Sequence, residues 1–209
     1  MRRLVRGLDA ILRRANGVYE FTADSACLLR LARARAPYPL PLPTGTVQKG
    51  EPVLALHLWN EHIPPLPASG ADLAWGKAVS RGFVASLRAV GEEMARDPRL
   101  AQARAVGGTV AFLSPHDRPA QVRLLRRLGF TVISYHPPLG RLGELAENAY
   151  AWLLMWTYNA ASVHGRSPFR LQRLGVWMSA DAFRQRYGSQ SSGQTMPDLS
   201  AYTNTRSLI

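Results

Sequence analysis

The chain has 209 residues, 46% of them hydrophobic, 19% charged and 9% aromatic, a composition that can bury a core and excludes a wholly disordered segment or a repeat array. At this length one compact domain is expected. Twenty-six basic residues against 14 acidic ones leave a formal charge of +12, a field that favours nucleic acid, anionic lipid or an acidic polymer as a neighbour without choosing among them.

In chain order, residues 2–16 place Leu4, Leu8, Ile11, Leu12 and Ala15 at helical spacing, with Arg2, Arg3, Arg6, Arg13 and Arg14 completing the cylinder. A basic amphipathic helix of this kind can make peripheral contact with anionic lipid or dock on its own domain, and docking is the expectation here. The positive start is not followed by the apolar stretch that a signal peptide needs. The longest apolar stretch, 149–158, falls well short of the roughly 20 residues that span a bilayer. A lone cysteine, Cys27, cannot form an internal disulfide, which suits a reducing compartment. The expected location is therefore cytoplasmic, with a peripheral position at the inner face of the membrane as its variant.

From Gly17 the pattern changes to Gly17-Val18-Tyr19-Glu20-Phe21-Thr22 and Leu28–Leu31, two short strands around a turn at Ala23, Asp24 and Ser25. Four prolines between 36 and 43 predict an extended connector, and Gly45 and Gly50 bracket a tight turn into the next strand. That strand, 53–59, carries apolar residues on both faces and reads as central in a sheet. After Pro64, Pro65 and Pro67, helical periodicity runs over 72–96. The second half alternates: strand 108–113, helix 118–128, strand 130–135, helix 141–162, strand 170–177 and helix 180–187. Gly129 is placed to end its helix in the left-handed conformation, and Ser179 to cap the last one. The fold expected is α/β (or α+β): a β-rich N-terminal part, then alternating helices and strands around one mixed sheet, with at least one right-handed crossover at 108–135. The division is a helix over 1–16, a domain over 17–188 and a polar, disordered tail over 189–209.

The densest group of chemically capable side chains is His57-Leu58-Trp59-Asn60-Glu61-His62. A strand that ends in a loop delivers its last residues to the sheet edge, where ligands of α/β proteins commonly bind. Glu61 and His62 are candidates for a catalytic acid–base pair, with His57, Trp59 and Asn60 as ligand-binding neighbours. The architectural alternative stands beside it, since a histidine on an apolar strand is commonly a satisfied core residue and an Asn at a strand end commonly closes a turn. Trp152, Trp156 and Asn159 share a helix face and form a second candidate, an aromatic platform for sugar rings or bases, although a Trp pair at this spacing is more often core. His57 and His62 would point to opposite faces of a continuing strand, so no metal site is expected. There is no dinucleotide fingerprint, phosphate-binding Walker loop, nucleophile elbow or paired Cys-x-x-Cys, and no cofactor is expected. Nucleic acid ranks last among partners, because charge alone motivates it.

Five stretches together, Gly17-Val18-Tyr19-Glu20-Phe21, the Gly45–Val53 run, Leu56-His57-Leu58-Trp59-Asn60-Glu61-His62-Ile63-Pro64, Leu128-Gly129-Phe130 and Val176-Trp177-Met178-Ser179, resemble the bacterial YkoP-like domain family over residues 17–188. That family has no established catalytic residues to carry over. Its members occur alone or fused to polysaccharide deacetylase domains, so the resemblance implies a binding or accessory role toward cell-envelope polysaccharide or an anionic lipid-linked ligand. An enzyme using Glu61 and His62 on an anionic or sugar substrate is the alternative. Deacetylase activity itself is not implied, because this chain lacks the paired metal-binding motifs.

Overall fold

The computed structural model describes residues 2–67, 70, 72–112, 118–135, 140–158, 160–163 and 172–188. Within them, five helices and a mixed six-stranded sheet build a single α/β unit. The tail at 189–209, expected to be disordered, lies outside the described residues, as does Asn159.

Helix α1 (Arg2–Ala15) ends where Gly17 adopts φ +64° and its N–H reaches the Arg14 carbonyl at 3.1 Å, a left-handed exit that glycine makes without Cβ strain. Strands β1 (Val18–Tyr19) and β2 (Leu29–Arg35) then pair antiparallel with Tyr19 opposite Leu31, which is the expected hairpin. The proline run departs from expectation. β3 (Leu40–Leu42) pairs with β4 (Gly45–Val47) in a separate two-stranded ribbon, Pro41 opposite Thr46. Leu40 and Leu42 point into the protein while Pro41 is exposed, and an antiparallel ladder asks for bonds to the partner strand only at alternate residues, so proline is tolerated in a short edge pair.

β5 (Pro52–Leu58) lies between β2 and β6 (Ala105–Phe112), antiparallel to the first and parallel to the second, the interior position that two apolar faces require. The parallel connection runs through α2 (Leu73–Arg96), whose first turn is capped by Asp72 accepting from the Trp75 N–H at 2.7 Å. After α3 (Arg118–Arg127) come β7 (Thr131–Ser134), α4 (Gly140–Tyr158), β8 (Gln172–Ser179) and α5 (Ala180–Tyr187). The strand order β1-β2-β5-β6-β8-β7 places β8 antiparallel between β6 and β7, so the α3 crossover links two parallel strands that do not touch. Gly129, at φ +93°, closes α3 with its N–H on Arg126 and the Phe130 N–H on Leu125, the pair of bonds of a Schellman cap. The Ser179 hydroxyl caps α5 as expected.

The sheet separates two cores. On one face Leu31, Leu54, Val106, Val176 and Met178 pack against Leu87, Val90 and Met94 of α2 and Phe183 and Tyr187 of α5. On the other, Val53, Ala105 and Trp177 meet Leu40, Leu42 and Val47 of the ribbon. Farther along this second face, Arg173 of β8 bonds Asn148 of α4 at 2.9 Å, and α1 packs on α4. Docking of α1 on its own domain is thus observed, but through the opposite side from the one the periodicity marked as apolar. Val5 and Asp9 are buried, whereas Leu4, Leu8 and Ile11 are exposed.

Candidate functional site

The segment 57–62 sits at the end of β5, and its chemistry is set by a residue across the ladder. Arg30 lies opposite His57 on β2, within the otherwise apolar run Leu28–Leu31, and is only 3% exposed. A guanidinium stays charged when buried, so it needs carboxylates and hydrogen bonds to offset its lost hydration. Arg30 has both: Nε and Nη2 donate to Glu20 at 3.2 and 2.9 Å, while Nη1 and Nη2 donate to the two oxygens of Glu61 at 3.1 and 3.2 Å. Its cationic carbon also lies 4.6 Å from the centre of the Trp59 ring.

Asn60–His62 form one turn of 3-10 helix, and this turn carries Glu61 back toward Arg30. It also folds His62 onto Trp59, with ring centres 3.7 Å apart and planes 18° from parallel. His62 Nδ1 lies 2.8 Å from the Cys27 carbonyl. Because a carbonyl only accepts, Nδ1 is the donor of this bond.

Helix α1 completes the arrangement. Asp9, 3% exposed, accepts the Tyr150 hydroxyl of α4 at 2.6 Å and pairs with Arg13 Nε at 3.1 Å. Arg13 reaches Glu20 at 3.7 Å and Glu61 at 3.8 Å, and the Tyr158 hydroxyl approaches Glu61 at 3.5 Å. The result is a chain of alternating charge, Asp9, Arg13, Glu20 and Glu61, Arg30, that joins α1, the strands and α4. Burial pushes the Glu61 carboxyl up, but hydrogen bonds from Arg30 and its own backbone, with the charges of Arg30 and Arg13 behind them, hold it below the ordinary carboxylate range. Burial, the hydrogen bond to Asp9 and its negative charge push Tyr150 up, so its phenol stays protonated as a donor.

Of the residues singled out from the sequence, Trp59, Glu61 and His62 are brought together around Arg30. Asn60 is half-buried at the start of the turn, and His57 is exposed on the strand end and takes no part in the Arg30 hydrogen bonds. Trp152 and Trp156 are half-buried on α4, with Arg2 of α1 lying 5.3 Å over the Trp156 ring. The aromatic face is therefore partly covered by the chain's own N-terminal helix. Among the described residues no three His, Cys, Asp or Glu side chains gather as a metal site.

Sequence reasoning missed Arg30, Asp9, Arg13 and Glu20. The available signal was a charged residue inside an apolar period, Arg30 amid leucines and Asp9 on a helix otherwise basic and apolar. It also missed an open cleft of about 700 Å³ on the far side of β2, lined by Tyr19, Arg33, Arg35 and Arg99 among others. Arg99 is held by Asp97 at 2.9 Å and Arg35 by the Gly50 carbonyl at 2.9 Å, whereas Arg33 is exposed and acts on Asp97 through its charge alone. Compared with known families, curated proteins and solved structures, the chain finds no match.

Proposed function

We propose that the protein is a binding or accessory module for an anionic ligand, with a phosphate- or carboxylate-bearing polysaccharide of the cell envelope as the ligand class, seated in the cleft between β2 and the end of α2. The single observation that carries this reading is the cleft itself: about 700 Å³ with Arg33, Arg35 and Arg99 on its walls against one acidic residue, Asp97. Arg33 is exposed there, with its charge felt by Asp97 and Tyr19 on the same walls, and the guanidinium plane suits bidentate capture of phosphate or carboxylate. Tyr19 supplies a wall on which a sugar ring can stack, and burial followed by the charges of Asp97 and Glu93 raises its pKa, keeping the phenol a neutral donor. The envelope assignment rests on the YkoP-like resemblance and the net charge of +12.

The enzyme reading draws less support from the geometry. Both oxygens of Glu61 are engaged by Arg30, and a carboxylate held below its ordinary range is a poor proton acceptor at neutral pH. His62 keeps Nε2 open but spends Nδ1 on the Cys27 carbonyl and its ring face on Trp59. These are the contacts of a structural clasp.

The test is calorimetric titration at physiological salt with a glycerol phosphate oligomer and, in parallel, an uncharged glucan. Saturable binding of the charged oligomer, weakened about tenfold in Arg33→Gln as expected for one lost charge-assisted contact, is the expected result. Binding that is non-saturable, or equal in wild type and Arg33→Gln, would sink the assignment.

A further inference from the structure

Helix α1 is attached to the domain by its polar side, and its apolar side faces outward. Leu4, Leu8 and Ile11 follow the i, i+4, i+7 spacing that makes one stripe, yet they are 78%, 47% and 66% exposed. The docked side is held by other means: Val5 is buried, Asp9 bonds Tyr150, Arg13 pairs with Asp9, and Arg2 and Arg6 lie over the rings of Trp156 and Tyr158. The helix can therefore offer its leucines to a partner without leaving the domain.

The charge around the stripe selects the partner. Arg3 and Arg14 are exposed and sit about a quarter turn from the stripe, on the side away from Val5 and Leu12, at 100° per residue. The only carboxylate on α1, Asp9, is turned inward and consumed. The outward surface thus carries apolar and cationic groups alone, on a chain whose net charge is +12. A second copy would bring like charges together around a three-residue seam. An anionic bilayer offers phosphates to the arginines and an apolar layer at the depth that an interfacial helix reaches.

We propose that α1 is a membrane-surface anchor in which Leu4, Leu8 and Ile11 enter the headgroup boundary of an anionic bilayer while Arg3 and Arg14 hold lipid phosphates. Three apolar side chains are a marginal anchor by themselves, so attachment needs both terms and is reversible. No helix among the described residues is long and apolar enough to cross a membrane, so attachment of this kind lies on the surface. The anchor and the cleft use different residues, and each stands if the other fails.

The test is co-sedimentation of the full chain with vesicles of phosphatidylglycerol and phosphatidylcholine, and with vesicles of phosphatidylcholine alone. Wild type is expected to partition onto the anionic vesicles and only weakly onto the neutral ones. Leu8→Gln/Ile11→Gln and Arg3→Gln/Arg14→Gln should each lower the anionic partition about tenfold or more, with thermal unfolding unchanged because all four side chains are exposed. Three results would overturn the proposal: no partition of wild type, equal partition of Leu8→Gln/Ile11→Gln, which would reduce the effect to net charge, or a wild-type dimer that this double variant turns into a monomer, which would give the stripe to a second copy.

Discussion

Arg30 stands where the flanking sequence calls for leucine, and its burial governs its neighbours. Two carboxylates and an indole face surround one guanidinium, so the cation is stabilised without bulk water, and Glu61 is held ionised. The sign for stability follows from that depressed carboxyl. Its contribution is fully present above the ordinary carboxylate range and is lost as pH falls through the lower folded-state value. The denaturation midpoint of wild type should therefore fall on acidification below about pH 4.5, and Glu61→Gln, stripped of this titration, should show a shallower pH slope together with lower stability at neutral pH. Identical slopes would show that Glu61 is not held by charge. This site was half legible in the sequence. Trp59, Glu61 and His62 were found because they are adjacent in the chain, whereas Glu20 and Arg30 meet across 10 residues through the β1–β2 pairing and Arg30 and Glu61 across 31 through the β2–β5 register.

Elements declared by local chemistry were readable, and those decided by distant pairing were not. The caps at Gly129 and Ser179, the interior position of β5 and the limits of α5 all follow from residues within one turn of the feature. The insertion of β8 between β6 and β7, and the ribbon formed by the proline run, depend on partners far away. So does the inverted docking of α1, because periodicity finds an apolar stripe but does not say that Asp9 will meet Tyr150. Close approach of elements makes a sharper prediction. A Cβ at Gly91 of α2 would overlap the Tyr187 carbonyl of α5. Gly91→Ala should then cost about 3 kcal/mol of strain, more than the ~1 kcal/mol of helix propensity it gains. Gly7→Ala on α1, with open space around it, should be neutral or stabilising. Chemical denaturation of the two variants checks both signs, and a stable Gly91→Ala would mean that α2 and α5 are not in contact at that point.

At the scale of the whole molecule, the two-faced sheet divides labour. The α2 and α5 side is an apolar core rich in leucine, valine and aromatic residues, while the α1 and α4 side is fastened largely by charge and tyrosine hydroxyls. A polar fastening leaves the outer stripe of α1 free and places the basic cleft on a separate part of the surface. It also makes the Arg30 cluster a point at which α1, the β2–β5 pair and α4 meet. The most direct measurement is a double-mutant cycle on Arg30→Met and Glu61→Gln, read by equilibrium denaturation. Since Arg30 is buried but its carboxylates are partly solvated, each single variant should lose about 2–3 kcal/mol, and the pair should lose less than the sum by about 1 kcal/mol or more. Additive losses, or two variants as stable as wild type, would contradict the clasp and return Glu61 and His62 to candidacy as catalytic groups.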